Sequence, residues 1–419
     1  MTAKTTKEKS PLAAAGERRA RQILLGVTIA AAASLSASLV CLWLYQPVGI
    51  HLYFETQRKA TLAYLGGWLL VSLLATTAAF SRRTLIVSFY LVLLLSLEGA
   101  SHVYYYLSTG AIYHPLSWKV IHQFDPHPLL VAIPHPNSFG GVSHDDQNRR
   151  TTVNEGKIAN PKLIYVFGGS TTYDIANADA ETWPSDLSRI LGPGYEVQNY
   201  GVPAYTSNES MIQSLFMFRD SKPVCAIYYE GWNDLRYSHI KNLKSDYSDY
   251  HFHNQLRLLG VAHQPGALEN NVLFIRLIVS LFLPNTDVDP SPDQGVVSGD
   301  KDPRLSKIYR DNMTLIADIA RHFGVKPLFV PQVLNFAPSH LNHQWAWVPF
   351  LRTRDLPHLM QEMNMDTEQA ARESGAVFIG ASLAPNWTEA DFYDDAHFNA
   401  AGSEKLARAI AGDVAANCR

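Results

Sequence analysis

LIYVFGGSTTYD, residues 163–174, decides how the rest of the chain is read. The apolar run 163–167 predicts a buried strand. Gly168 and Gly169 then let the backbone turn sharply or approach another group closely, and Ser170 falls at the strand's carboxyl end. In open α/β sheets, ligands bind in the crevice outside those ends. Two other glycine loops are excluded. No lysine follows, as a G-x-x-x-x-G-K-[ST] phosphate loop requires, and Thr172 stands where G-x-S-x-G has its last glycine.

Strand and helix patterns alternate from this point. Residues 182–191 predict a helix with Pro184 in its first turn. Residues 195–200 predict a second strand, and 206–219 a helix opened by a Thr206/Glu209 capping box. Further strands are expected at 224–229, 327–330 and 376–380, and further helices at 304–323, within 356–374 and at 401–416. Such alternation argues for a mostly parallel sheet covered on both faces. An insertion at 235–303 interrupts it and carries VLFIRLIVSLFL, residues 272–283, too short to span a bilayer and read as a buried or interfacial helix.

Four short stretches then fall into line: VFGGST with Ser170, NYGVPAYTS with Gly201, YEGWND with Asn233, and DFYDDAHFNAAG with Asp394 and His397. The first three follow strands and so converge on one edge of a parallel sheet. Together they supply what acyl transfer needs. Ser170 is the candidate nucleophile and His397 its base, with Asp394 holding the imidazole and Asp395 as the alternative partner. Backbone N–H groups of Ser170 and Gly201 and the Asn233 amide are candidate oxyanion donors. Trp232 is a candidate for stacking on substrate. This chemistry calls for no metal and no cofactor.

These stretches resemble the four sequence blocks of the SGNH/GDSL hydrolase superfamily, whose Ser, Gly, Asn and His match Ser170, Gly201, Asn233 and His397, and whose D-x-x-H matches Asp394 to His397. The resemblance runs from Lys162 to Asn417. It departs in the first block, which reads Gly-Gly-Ser where the family name expects Gly-Asp-Ser. It implies an α/β, flavodoxin-like three-layer sandwich with a five-stranded parallel sheet. The Gly-Gly-Ser-Thr variant is similar to envelope-associated members acting on polysaccharides.

The first quarter of the chain is of another kind. Apolar stretches at 23–45, 62–80 and 85–106 each have about the 20 residues of a membrane-spanning helix. Basic residues in the tail 1–22, and Arg82 and Arg83 between the second and third stretches, belong inside. The expected layout is a cytoplasmic tail, three spans within 23–106, a connector at 107–161 and a hydrolase domain at 162–419 outside a bacterial inner membrane. Glu98 in the third stretch lies one turn from His102, which allows a local pair, and near the stretch's outer end, which favours anchoring at the interface. A net charge of −3 shows no nucleic-acid footprint. The three cysteines, Cys41, Cys225 and Cys418, suggest neither a zinc site nor a disulfide framework.

The expected function is a membrane-anchored serine esterase removing acyl groups, acetyl foremost, from a cell-envelope or secreted polysaccharide. Its expected partners are the acylated polysaccharide or another ester, the lipid bilayer and envelope polysaccharide machinery, with no nucleic acid. The alternatives are a polysaccharide O-acetyltransferase with the same triad, a lipase or lysophospholipase, and a non-catalytic polysaccharide-binding assembly component.

Overall fold

The computed structural model describes residues 123–154, 156, 158–248, 267–282, 295–337 and 350–419, with 15, 16, 18, 19, 22, 23, 26, 90, 93, 94, 97–105 and 107 before them. The apolar stretch 62–80 lies wholly outside the described residues, 23–45 mostly so, and 85–106 in part. Among the described residues no helix is long and apolar enough to cross a membrane. The chain divides into two compact units, one of residues 1–48, 54–117 and 265–284, the other of 49–53, 118–264 and 285–419.

The second unit opens with four short strands, β1 Phe124–His127, β2 Val131–Pro134, β3 Asn137–Phe139 and β4 Val142–His144. They form two antiparallel pairs, β1 with β2 and β3 with β4, in a stretch whose sequence shows no periodicity. Strands of three and four residues are too short to display one. Arg150 bridges this arm to the main sheet by pairing with Asn199.

The main sheet comprises β5 Lys162–Gly168, β6 Tyr195–Asn199, β7 Cys225–Tyr229, β8 Lys326–Phe329 and β9 Val377–Phe378. Its five strands run in the order β6-β5-β7-β8-β9, all parallel. That is the expected flavodoxin-like order. The first connection moves one way from β5 and the next moves the other way, which makes the β5/β7 edge the topological switch point.

The helices are α1 Ser170–Tyr173, α2 Trp183–Leu191, α3 Ser207–Asp220, α4 Trp232–Leu235, α5 Ala267–Asn271, α6 Leu273–Phe282, α7 Pro303–His322, α8 Leu356–Ser374 and α9 Ala400–Asn417. The strands alternate as buried strands must. Tyr165, Phe167, Ala226 and Tyr228 face α3, α7 and α8. Ile164, Val166, Cys225, Ile227 and Tyr229 face α2 and α9. The predicted Thr206/Glu209 capping box is present at α3, and α8 occupies the predicted 356–374.

The cysteine expectation is corrected. Cys225, the first residue of β7, is bonded to Cys418 at the end of α9, with Cα atoms 5.3 Å apart and a sequence separation of 193. No local spacing announces such a pair, because the fold alone brings it together. In the chain-entropy account, closing a loop of this length stabilises the fold by at most about 5 kcal/mol. Cys418→Ser is expected to lower the unfolding free energy by roughly 2–5 kcal/mol in urea melts. An unchanged midpoint would mean that the bond constrains nothing.

Candidate active site

Gly168 ends β5 at φ +149°, and a Cβ there would lie 2.2 Å from Thr172 Oγ1 and 2.6 Å from Tyr229 O. Gly169 follows as N-cap of the single turn α1. The serine therefore sits at a helix start, where its N–H has no intrahelical acceptor. Ser170 Oγ lies 2.7 Å from His397 Nε2. His397 Nδ1 lies 2.8 Å from Asp394 Oδ2 and 2.9 Å from Oδ1. A carboxylate can only accept, so Nδ1 carries the proton and Nε2 is free to accept from the serine hydroxyl.

The D-x-x-H turn organises itself. Asp394 Oδ1 accepts the backbone N–H groups of Ala396 and His397, both at 2.9 Å, and Tyr393 donates its N–H to His397 O at 2.8 Å. Burial pushes the Asp394 carboxyl up, but the hydrogen bond and charge of His397 with the two N–H donors outweigh it and hold the group below the usual carboxylate range. It stays ionised at neutral pH. Asp395, the alternative partner, instead accepts Asn335 N–H on its backbone oxygen at 2.9 Å.

The structure revises two other expectations. Gly201 N–H is donated to Asn199 Oδ1 at 2.8 Å, so it is engaged rather than pointed at an oxyanion. What the position requires is the absence of a side chain, since a Cβ would stand 2.4 Å from Tyr173 N. The Trp232 residue is 5% exposed and its ring belongs to the core beneath the sheet edge. It offers no open face for stacking on substrate. Asn233 does reach the site, with its Nδ2 donating to Tyr205 O at 2.7 Å. A Cβ on Gly169 would sit 2.2 Å from that nitrogen. An amide nitrogen carries two hydrogens, so one remains for a developing charge beside Ser170.

Sequence reading missed the groups that hold these pieces. Gln332, buried in the loop after β8, accepts Trp232 N–H on Oε1 at 2.5 Å. Its Nε2 donates to Thr171 Oγ1 at 2.8 Å and to Tyr229 O at 3.0 Å. It thus ties the residue after Ser170 to the residue before Asn233. Asn364 of α8 fixes its backbone at both N–H and C=O. Asp174, at the end of α1, accepts Trp183 N–H at 2.7 Å, Asn177 Nδ2 at 2.7 Å and Ser403 Oγ at 2.6 Å. Burial raises its pKa to about 6 against those hydrogen bonds. On the outer side of α1, His144 Nε2 lies 2.7 Å from Tyr173 OH and the Arg150 guanidinium lies 4.9 Å over the Tyr173 ring. The arm histidines have structural partners: His127 Nδ1 accepts Leu130 N–H at 3.0 Å, and His135 pairs with Asp125 at 2.8 Å. Only the D-x-x-H spacing was locally readable, because the other braces come from residues far apart in the chain.

The fold and site define a class: a flavodoxin-like sandwich carrying a Ser-His-Asp constellation at its switch point. No family model matches the sequence, and no curated protein matches it. Among solved structures, the chain is similar to the native aryl esterase of M. smegmatis at 16% identity, covering 61% of this chain and 99% of that one with a TM-score of 0.38. It is also similar to a member of the lipolytic protein G-D-S-L family from Veillonella parvula, at 11% identity, 60% and 96% coverage and a TM-score of 0.36. A third is a catalytic mutant of an acetylxylan esterase from Geobacillus stearothermophilus, at 12% identity, 62% and 96% coverage and a TM-score of 0.35. At these identities and TM-scores, activity and substrate must come from this chain's own atoms.

Gln332→Ala is expected to lower kcat on a small ester by roughly 10–100-fold with KM little changed, because it loosens both neighbours of the reacting groups. Gln332→Glu keeps the acceptor for Trp232 N–H but sets a carboxylate oxygen against Tyr229 O where a donor stood, so it should recover none of the rate. An unchanged kcat in Gln332→Ala would remove Gln332 from the site's support. Glu230 gives a pH test. Burial, then the charge of Asp234, raises its pKa well above the usual value despite the Ser210 hydroxyl bonded to it. A raised carboxyl stabilises fully below its unfolded pKa, and that contribution is lost as pH rises towards the folded pKa. Glu230→Gln should therefore gain in Tm relative to the parent between pH 4 and pH 8. A pH-independent difference would mean that Glu230 is ionised in the fold.

Proposed function

We propose that this chain is a membrane-anchored serine esterase, its domain facing the outside of a bacterial inner membrane. It would remove acyl groups, acetyl foremost, from an envelope or secreted polysaccharide. The observation that carries the chemistry is the 2.7 Å approach of Ser170 Oγ to His397 Nε2 with Asp394 on the far side of the ring. In this reading His397 takes the Ser170 proton as Oγ attacks the ester carbonyl. The oxyanion is met by Ser170 N–H and the second hydrogen of Asn233 Nδ2. Collapse breaks the ester C–O bond, His397 returns the proton to the departing sugar oxygen, and the acyl group stays on Ser170. Water, activated by the same histidine, then releases the acid and restores the serine.

The compartment is supported by two unrelated features. Positive charge at 1–22 and at Arg82 and Arg83 favours an inside tail and, with three spans, an outside domain. A disulfide between Cys225 and Cys418 persists in an oxidising compartment such as the periplasm. The polysaccharide follows from that location and from the resemblance of the Gly-Gly-Ser-Thr block.

The test is acetate release by the full chain in detergent or nanodiscs, from an aryl acetate and from an acetylated polysaccharide. Ser170→Ala should lower both by roughly six orders of magnitude. An added sugar acceptor should leave the rate of acetate release unchanged. Acetate release that falls as acetylated acceptor appears would make the protein a transferase. Turnover of neither substrate by a folded protein would sink the esterase reading.

A further inference from the structure

The first unit contains a buried carboxylate with a long-range assignment. Residues 97–105 are helical, and Glu98, with its side chain 4% exposed, has His102 Nε2 3.1 Å from Oε1. The same carboxylate accepts Leu273 N–H at 2.9 Å and Phe274 N–H at 2.8 Å. These are the first two donors of α6, which starts 175 residues later in the chain. A helix start normally recruits Ser, Thr, Asp or Asn as its cap, whereas α6 is preceded by Val272. Glu98 supplies the acceptor that the local sequence lacks, and its negative charge matches the positive end of the helix dipole.

The helix so held, LFIRLIVSLF, is apolar except for Arg276 and Ser280. Ser280 Oγ is satisfied by its own helix, donating to Leu277 O at 2.7 Å. Leu281 is 80% exposed and Phe282 83% exposed. On the Glu98 side, Leu94 is 49% and Tyr104 62% exposed. Ten residues give a helix about 15 Å long, half of a hydrocarbon layer about 30 Å thick. A helix whose large apolar side chains are left open in this way is at home against lipid, and the long Arg276 side chain can carry its charge to the headgroup level.

We propose that α6 is a membrane-embedded element of half-bilayer length. The acyl chains of one leaflet would cover its open face, and Glu98 would anchor its start to the third apolar stretch. This rests on the membrane reading above. It assigns Glu98 a role, because an ionisable group within an apolar stretch is costly unless it has a partner. The insertion would then be a second tether to the bilayer, separate from the three spans.

The test uses the full chain in native membranes, in a Cys41→Ser background that leaves no free thiol. Leu281→Cys, Phe282→Cys, Leu94→Cys and the solvent control Lys222→Cys are labelled with a membrane-impermeant maleimide, before and after detergent. An apolar setting suppresses the reactive thiolate. Leu281→Cys, Phe282→Cys and Leu94→Cys should therefore label at least about tenfold more slowly than Lys222→Cys until detergent is added. If Leu94→Cys is protected and the two α6 cysteines label like the control, the proposal falls and the membrane reading stands. If Leu94→Cys also labels like the control, the membrane reading falls as well. Glu98→Ala should expose Leu281→Cys while leaving Leu94→Cys protected, and Glu98→Gln, keeping one acceptor oxygen, should fall between. Full protection in Glu98→Ala would overturn the role given to Glu98.

Discussion

No side chain fits between the end of β5 and Ser170. A Cβ on Gly168 would collide with Thr172 and the Tyr229 carbonyl, and one on Gly169 would occupy the place of the Asn233 amide, 2.2 Å from Nδ2. Gly201 imposes the same limit from the other side, where a Cβ would stand 2.4 Å from Tyr173 N. Three chain segments thus crowd against one turn of helix because three positions carry only hydrogen. The second glycine of the GGST stretch is explained by this packing. The Asn233 amide occupies the space that a side chain at 169 would need.

A helix of one turn cannot hold itself, since forming a single turn costs more than its hydrogen bonds return. Its surroundings hold α1. Asp174 ties its end to Ser403 of α9, and Asn177 reaches Phe398 O at 3.2 Å, so the segment carrying the nucleophile is bonded to the segment that follows His397. Gln332 holds Thr171 from the side of β8, and the arm holds Tyr173 through His144. The Ser170–His397 distance is therefore a property of buried bonds around it as much as of the two residues. Burying Asp174 is costly, as its pKa of about 6 records, and three donated hydrogen bonds offset that cost.

What could be read from sequence was local or periodic. The strand at 163–167, the capping box at Thr206 and the helix at 356–374 each announce themselves within a short stretch, by an unbroken apolar run, by a cap or by a 3.6-residue stripe. Asp394 and His397 sit on one turn, so their pairing was legible too. Pairs such as Cys225 with Cys418, Gln332 with Thr171, and Glu98 with Leu273 have partners that only the fold brings near. Trp232 shows a different limit. A tryptophan at a strand end can point into the crevice or under it, and sequence carries no sign of which. The bond from its N–H to Gln332 accompanies the buried choice.

The disulfide links stability to the site without touching it. Cys225 begins β7, whereas Asn233 follows the strand's other end, so the bond lies at the edge of the sheet away from Ser170. It fastens the last turn of α9, while Asn399 caps the first turn through Ala401 N–H and Gly402 N–H. The helix that follows His397 is thereby fixed at both ends, covalently at one and through Ser403 and Asp174 near the other. A bond in this position fastens the end of α9 opposite His397, and such bonds persist in oxidising compartments. If the domain faces outward, as the charge around the apolar stretches favours, the fold can rely on that bond to hold this end of α9. A domain facing the reducing cytosol would have to hold it without the bond.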